Sequence, residues 1–245
     1  GDAVTVTGST TGSVTTGSCY PYHIAVGSSP MDWSVAANWL PASVPTSSDD
    51  VVLDNAINVN IDASAVCASL TSSGYSGTLT QNAGQTLTVS GDIAWAAGTF
   101  TGGDSAITAE TFALTGGTWT STSDTFELQW SAFAATVALL YFNGGTFNHS
   151  PDMGSPSGTV KLNRTIAYLA VITTLEFNAA FSFYNLILAG GNSHGPSSPG
   201  RDMLYTLQGT HTASVVNDLT IDPTFGTATL ATGTIEVGGD ISTTA

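Results

Sequence analysis

The chain has 245 residues, 42% of them hydrophobic but only 9% charged, and sets three strong cations against 18 carboxylates for a net charge of −15. With Lys161, Arg164 and Arg201 alone to meet phosphates, a nucleic-acid partner is excluded, because that affinity comes from Lys and Arg displacing counterions. Anionic membrane surfaces are disfavoured on the same ground, and runs such as 133–142 and 166–172 fall short of the roughly 20 apolar residues needed to span a bilayer, so no membrane insertion is expected.

Residues 1–30 are rich in Thr, Ser and Gly and read as an N-terminal extension, with residues 31–245 forming the main domain. Within the extension Ala3, Val4, Thr5, Val6 and Thr7 alternate as a strand with Val4 and Val6 on one face, a donor strand seeking a sheet edge. A second strand pattern lies at His23-Ile24-Ala25-Val26. The opening Gly1 would fit a mature chain whose signal peptide has been removed, and on that reading the protein is expected outside the cell or on its surface. Two cysteines, Cys19 and Cys67, are compatible with one disulfide in an oxidising compartment.

From Trp33 to Leu53 the sequence carries Trp33, Asn38-Trp39, Pro41, Pro45 and Asp49-Asp50-Val51-Val52-Leu53. Two Trp and two Pro in so short a span predict a rigid apolar plug for one end of a repeat structure. The repeat follows. Gly77-Thr78-Leu79-Thr80, Gly98-Thr99-Phe100-Thr101 and Gly117-Thr118-Trp119-Thr120 start about 21 and then about 19 residues apart, a period that marks a β-solenoid. In each phrase one bulky side chain would point inward between two outward Thr, so Leu79, Phe100 and Trp119 should stack on successive turns. Gly at each corner admits backbone that a Cβ would obstruct.

Beyond Leu128 the repeat loosens and restarts at Gly145-Thr146-Phe147-Asn148 after about 28 residues. Polar segments at 148–157 and 190–202 interrupt it as loops, the places where a glycan could be recognised. Near the finish, Glu236-Val237-Gly238-Gly239-Asp240-Ile241 echoes the internal Thr88-Val89-Ser90-Gly91-Asp92-Ile93. The last turn is therefore expected to stay open, with Ile235, Val237 and Ile241 as its assembly residues.

The order Trp, Asn-Trp, Pro, Asp-Asp-Val-Val followed by Gly-Thr-aromatic-Thr turns resembles the right-handed parallel β-helix, of pectin-lyase-like fold, in bacterial secreted and autotransporter-like surface proteins. Phrases such as 183–188, 217–221 and 233–237 are similar to strand phrases of that group. The resemblance covers most of residues 33–243 and implies an all-β, right-handed, single-stranded parallel β-helix, export and a structural role. It carries no catalytic residue across.

The candidate chemistry is correspondingly thin. Asp49, Asp50 and Asp54 read as turn-capping carboxylates, and Arg164 and Arg201 as ion-pair partners. His23, His149, His194 and His211 lack metal-ligand spacing. Gly102-Gly103-Asp104 is a fragment of a calcium-binding nonapeptide that does not recur, so no cofactor is expected beyond diffuse Ca2+ on the acidic surface. Asn148 and Asn163 stand in N-glycosylation acceptor patterns. Trp33, Trp39 and Trp95 read as core in preference to sugar platforms. These readings lead to a non-enzymatic, disulfide-bonded structural subunit of an extracellular filament, its partners copies of itself. A monomeric adhesin or carbohydrate-binding β-helix is the alternative, and a polysaccharide lyase or hydrolase comes third.

Overall fold

The computed structural model describes residues 22–130, 140–142, 144, 146–148, 158–164, 172–177, 182–190, 203–209, 213–223, 228–232 and 235–243. Over these residues the chain is a parallel β-helix, a β-solenoid of three strands to a coil. The first sheet stacks, in chain order, His23–Ala25, Asp50–Leu53, Ser69–Ser72, Asp92–Trp95, Thr111–Leu114, Leu140–Phe142, Ile172–Phe177, Met203–Gly209 and Ala228–Thr232. The second stacks Met31–Asp32, Val59–Ile61, Thr78–Gln81, Thr99–Thr101, Thr118–Thr120 and Thr146–Asn148. Its place in later coils is taken by a separate sheet of Ser182–Phe183, Ala213–Val215 and Ile235–Val237. Ala65–Cys67, Leu87–Val89, Ile107–Ala109, Thr125–Trp130, Thr159–Arg164, Asn185–Gly190, Leu219–Pro223 and Ile241–Thr243 make the third.

Register follows the repeat. Leu79 pairs with Phe100, Phe100 with Trp119 and Trp119 with Phe147, so the bulky residue of each Gly-Thr-x-Thr phrase does stack on the one before. Leu79, Phe100 and Trp119 are wholly buried. The rings of Phe100 and Trp119 lie 3.9 Å apart and nearly parallel, while Trp95 and Phe112 meet Trp119 edge-on at 5.3 and 4.9 Å. Burial at roughly 25 cal/mol per Å2 over about 150–250 Å2 stabilises each such Trp by about 4–6 kcal/mol. The indole N–H groups of Trp95 and Trp119 find no hydrogen-bond partner. That costs about 1–3 kcal/mol apiece, less than the burial contributes.

Outward, the same phrases form two columns. Thr78, Thr99, Thr118 and Thr146 are in register along one, and Thr80, Thr101 and Thr120 along the other, with Asn60 before them and Asn148 after. The corners need Gly for a steric reason as well as a conformational one. Gly117 has φ +67°, and a Cβ there would lie 2.5 Å from the carbonyl oxygen of Gly98 on the previous coil. At Gly77 the obstacle is the Ile57 oxygen, also at 2.5 Å.

Buried polar side chains tie neighbouring corners together. The Ser72 hydroxyl donates to the Ala97 oxygen at 2.8 Å and accepts from the amides of Ala96 and Ala97. Gln81 donates to the oxygens of Gln85 and Ser105 and accepts from the Gly103 amide. Thr122 donates to the Ser105 oxygen at 2.7 Å. Each of these groups would cost about 1–3 kcal/mol if left unpaired out of water, so they fix where one coil sits on the next.

One end of the first sheet departs from the parallel rule. Trp39–Leu40 pairs antiparallel with His23–Ala25, whose other edge pairs in parallel with Asp50–Leu53. The chain folds back through a short 3-10 turn at Ala36–Asn38 to make this edge strand. Trp33 and Trp39, from the segment read as an apolar plug, are both 1% exposed, whereas Pro41 is exposed. Their rings cross edge-to-face at 4.8 Å, and the Trp39 indole donates to the Trp33 oxygen at 2.8 Å. His23–Ala25, from the second strand pattern of the N-terminal segment, belongs to this ladder.

Candidate assembly face

The column that begins at Ala65 gives the clearest view of how the coils end. Ala65, Leu87, Ile107, Phe126, Val160, Leu186, Leu219 and Ile241 are in register from coil to coil in the third sheet. From Ala65 to Leu219 none is more than 6% exposed, whereas Ile241 is 65% exposed. Among the described residues, no strand pairs with Ile241–Thr243 on its far side. Ile235 and Val237 are half-buried and pack against the core, and the neighbouring Val216 is 48% exposed. The Asp240 amide is held by the Asp218 carboxylate at 3.1 Å, and Thr220 and Ser242 share a hydroxyl contact at 3.2 Å, so this coil is seated on its neighbour by ordinary ladder contacts.

Of the other half of the expected interface, Ala3, Val4, Thr5, Val6 and Thr7 lie outside the described residues, as do the segments 149–157 and 191–202, His149, His194, His211 and Arg201. Cys19 lies there too. Cys67 is a free thiol in the structure, and the expected bridge to Cys19 falls on a partner outside the described residues. Cys67 occupies an inward position of Ala65–Cys67, pairs with Val89 and is 0% exposed, so it packs as a small apolar residue. Burial, with the Asp50 charge adding to it, pushes the thiol up to about 12.

Of the carboxylates expected to cap turns, Asp49 does so, while Asp50 lies in a strand. Asp49 accepts from the Thr46 hydroxyl at 2.6 Å and the Thr46 amide at 2.9 Å, bonds that hold its carboxyl below the usual range. Asp50 accepts from Ser69 on the next coil at 2.6 Å, and Asp92 from Thr111 at 2.7 Å. Burial works against ionisation of Asp62, but the hydroxyl and amide of Ser34 outweigh it and keep that group ionised to lower pH. Asp104, from the calcium-like fragment, instead accepts from the Gly84 amide at 2.6 Å and from Ser105, while Gly103 serves the Gln81 clamp. Glu110 is shifted upward, by burial first and by Asp92 second.

Among the described residues no group of three or more His, Cys, Asp or Glu side chains is placed to hold a metal ion. His23 is a buried packing residue whose Nε2 meets the Ser43 hydroxyl at 2.9 Å. Lys161 meets Glu127 across two coils at 3.3 Å. Arg164 ends its strand in register with Trp130 and Gly190. Trp33, Trp39 and Trp95 are all buried and offer no ring face to a sugar. Asn148 is exposed at the end of its strand, and Asn163 sits within a ladder between Gln129 and Ala189.

Sequence reasoning missed the antiparallel strand Trp39–Leu40, whose two residues are too short to carry an alternation. It also did not see the two Thr columns as one surface, although the recurring Gly-Thr-x-Thr phrase held that signal. No protein-family model, curated protein or solved structure matches the chain.

Proposed function

We propose that this protein is a structural subunit of an extracellular filament or cell-surface matrix, of the secreted, autotransporter-like β-helix kind, that joins to copies of itself through the coil face of Ile235, Val237 and Ile241. The observation that carries the reading is Ile241, an apolar residue at a core position of the ladder yet 65% exposed. Strand edges with unpaired N–H and C=O groups beside exposed apolar side chains are templates for another strand. The partner strand is Ala3–Thr7 of the next copy, whose alternation suits an added edge strand with Val4 and Val6 turned inward. A head-to-tail contact of this kind does not close on itself and builds a fibre.

Negative-stain electron microscopy of the purified chain tests it. Uniform fibres are expected, with dispersed particles after deletion of residues 1–7 or on Ile241→Asp. Monomers at every concentration in light scattering, or soluble particles that bind a defined glycan, would overturn the proposal.

A further inference from the structure

We propose that the outer face of the second sheet binds the surface of crystalline water. The two Thr columns on Thr78–Gln81, Thr99–Thr101, Thr118–Thr120 and Thr146–Asn148 make a two-dimensional hydroxyl array on a sheet surface. Successive coils set its members about 4.8 Å apart in one direction, and the i, i+2 step along each strand sets them about 6.6 Å apart in the other. The first distance is close to the basal oxygen repeat of hexagonal ice, and the second approaches its longer axial repeat. Elsewhere on the third sheet the outward column reads Val66, Thr88, Thr108, Glu127, Lys161, with no such lattice.

Three further features of this face select the ligand. None of its Thr hydroxyls donates to or accepts from another described residue, so each is free to bond outward. The array is uncharged in a chain of net charge −15, with Asp32 at its margin beside Asn60, so it is matched to a neutral lattice and to neither a cation nor a polyanion. The aromatic residues of the same strands, Phe100, Trp119 and Phe147, pack into or against the core, which leaves the face without a stacking platform for pyranose rings. Each Thr also places a methyl group beside its hydroxyl and is stiff at χ1, so the array is ordered before it meets its ligand. The buried corner clamps at Ser72, Gln81 and Thr122 keep the coils in register beneath it. The inference does not depend on assembly into filaments.

The test uses the 245-residue chain and ice itself. Nanolitre osmometry should record a gap between melting and freezing points with faceted crystals, and a slowly growing ice front should take up the protein. Thr101→Lys, at an exposed position in the middle of the array, should abolish both, and Thr99→Ser with Thr101→Ser, which keeps the hydroxyls and removes the methyls, should weaken them. Thr88→Lys on the third sheet should change neither, and circular dichroism melts should leave all three variants folded. No freezing gap and exclusion from the ice front would overturn the proposal, as would ice binding that survives Thr101→Lys. Retention on crystalline cellulose or chitin that is lost in Thr101→Lys, without ice binding, would overturn it in favour of a polysaccharide surface.

Discussion

Trp39 and Ile241 are apolar residues on strands at opposite ends of the ladder, yet one is 1% exposed and the other 65%. The difference lies in what lies over them. At the first end the chain doubles back, so Trp39–Leu40 satisfies the outer edge of His23–Ala25 and the paired indoles fill the bore. At the other, among the described residues, Ile241–Thr243 pairs with Leu219–Pro223 on one side only. A parallel coil cannot cover itself. Closing it takes either a reversal of chain direction, as at Trp39, or material from beyond the strand, and the proposed filament uses the second route.

The largest effect should come from opening the closed end. Trp39→Ala removes a buried ring that packs on Trp33 and His23, and should cost about 3–5 kcal/mol in denaturant unfolding. Ile241→Ala in the dispersed chain should cost less than about 0.5 kcal/mol, because little of that side chain is buried. Equal costs at the two sites would break the contrast.

Next in size is the coil corner between them. Gly117→Ala puts a Cβ against the Gly98 oxygen at φ +67° and should cost about 1–3 kcal/mol, read as a lower unfolding midpoint. Acid should then act on the closed end. Asp49 and Asp62 both have depressed carboxyls there, so their contribution is present above the unfolded value of 3.8 and is lost as pH falls through the lower folded values. Tryptophan fluorescence at Trp33 and Trp39 should respond below about pH 3.8, and should move less when Asp49→Asn and Asp62→Asn are combined. The smallest effect is at Glu110. Its raised carboxyl means that ionisation near pH 7 works against folding, so Glu110→Gln should stabilise by up to about 0.5 kcal/mol at neutral pH, a gain that vanishes below the unfolded value of 4.5.

A labelling experiment sharpens the account of the core. With a thiol pushed up to about 12 and 0% exposed, Cys67 should resist alkylation in the native chain and react fully in denaturant without reductant. A Cys67 peptide that needs reductant would restore the disulfide.

Alternation and spacing in the sequence determined that this chain winds into a parallel β-helix, and which side chain of Thr-Leu-Thr, Thr-Phe-Thr and Thr-Trp-Thr turns inward. Those are local properties: period-two alternation assigns a face and the recurring Gly marks a corner, whatever lies above or below. The tertiary structure alone decided that Trp39–Leu40 runs backwards across the first coil and that Cys67 packs against the core as a free thiol. It also decided that Ile241 stands in register with the core column of the third sheet and is 65% exposed. Each depends on which strand lies beside which, and such pairing is set by contacts between residues 14 or more positions apart, where a single strand's pattern carries no information about its neighbour.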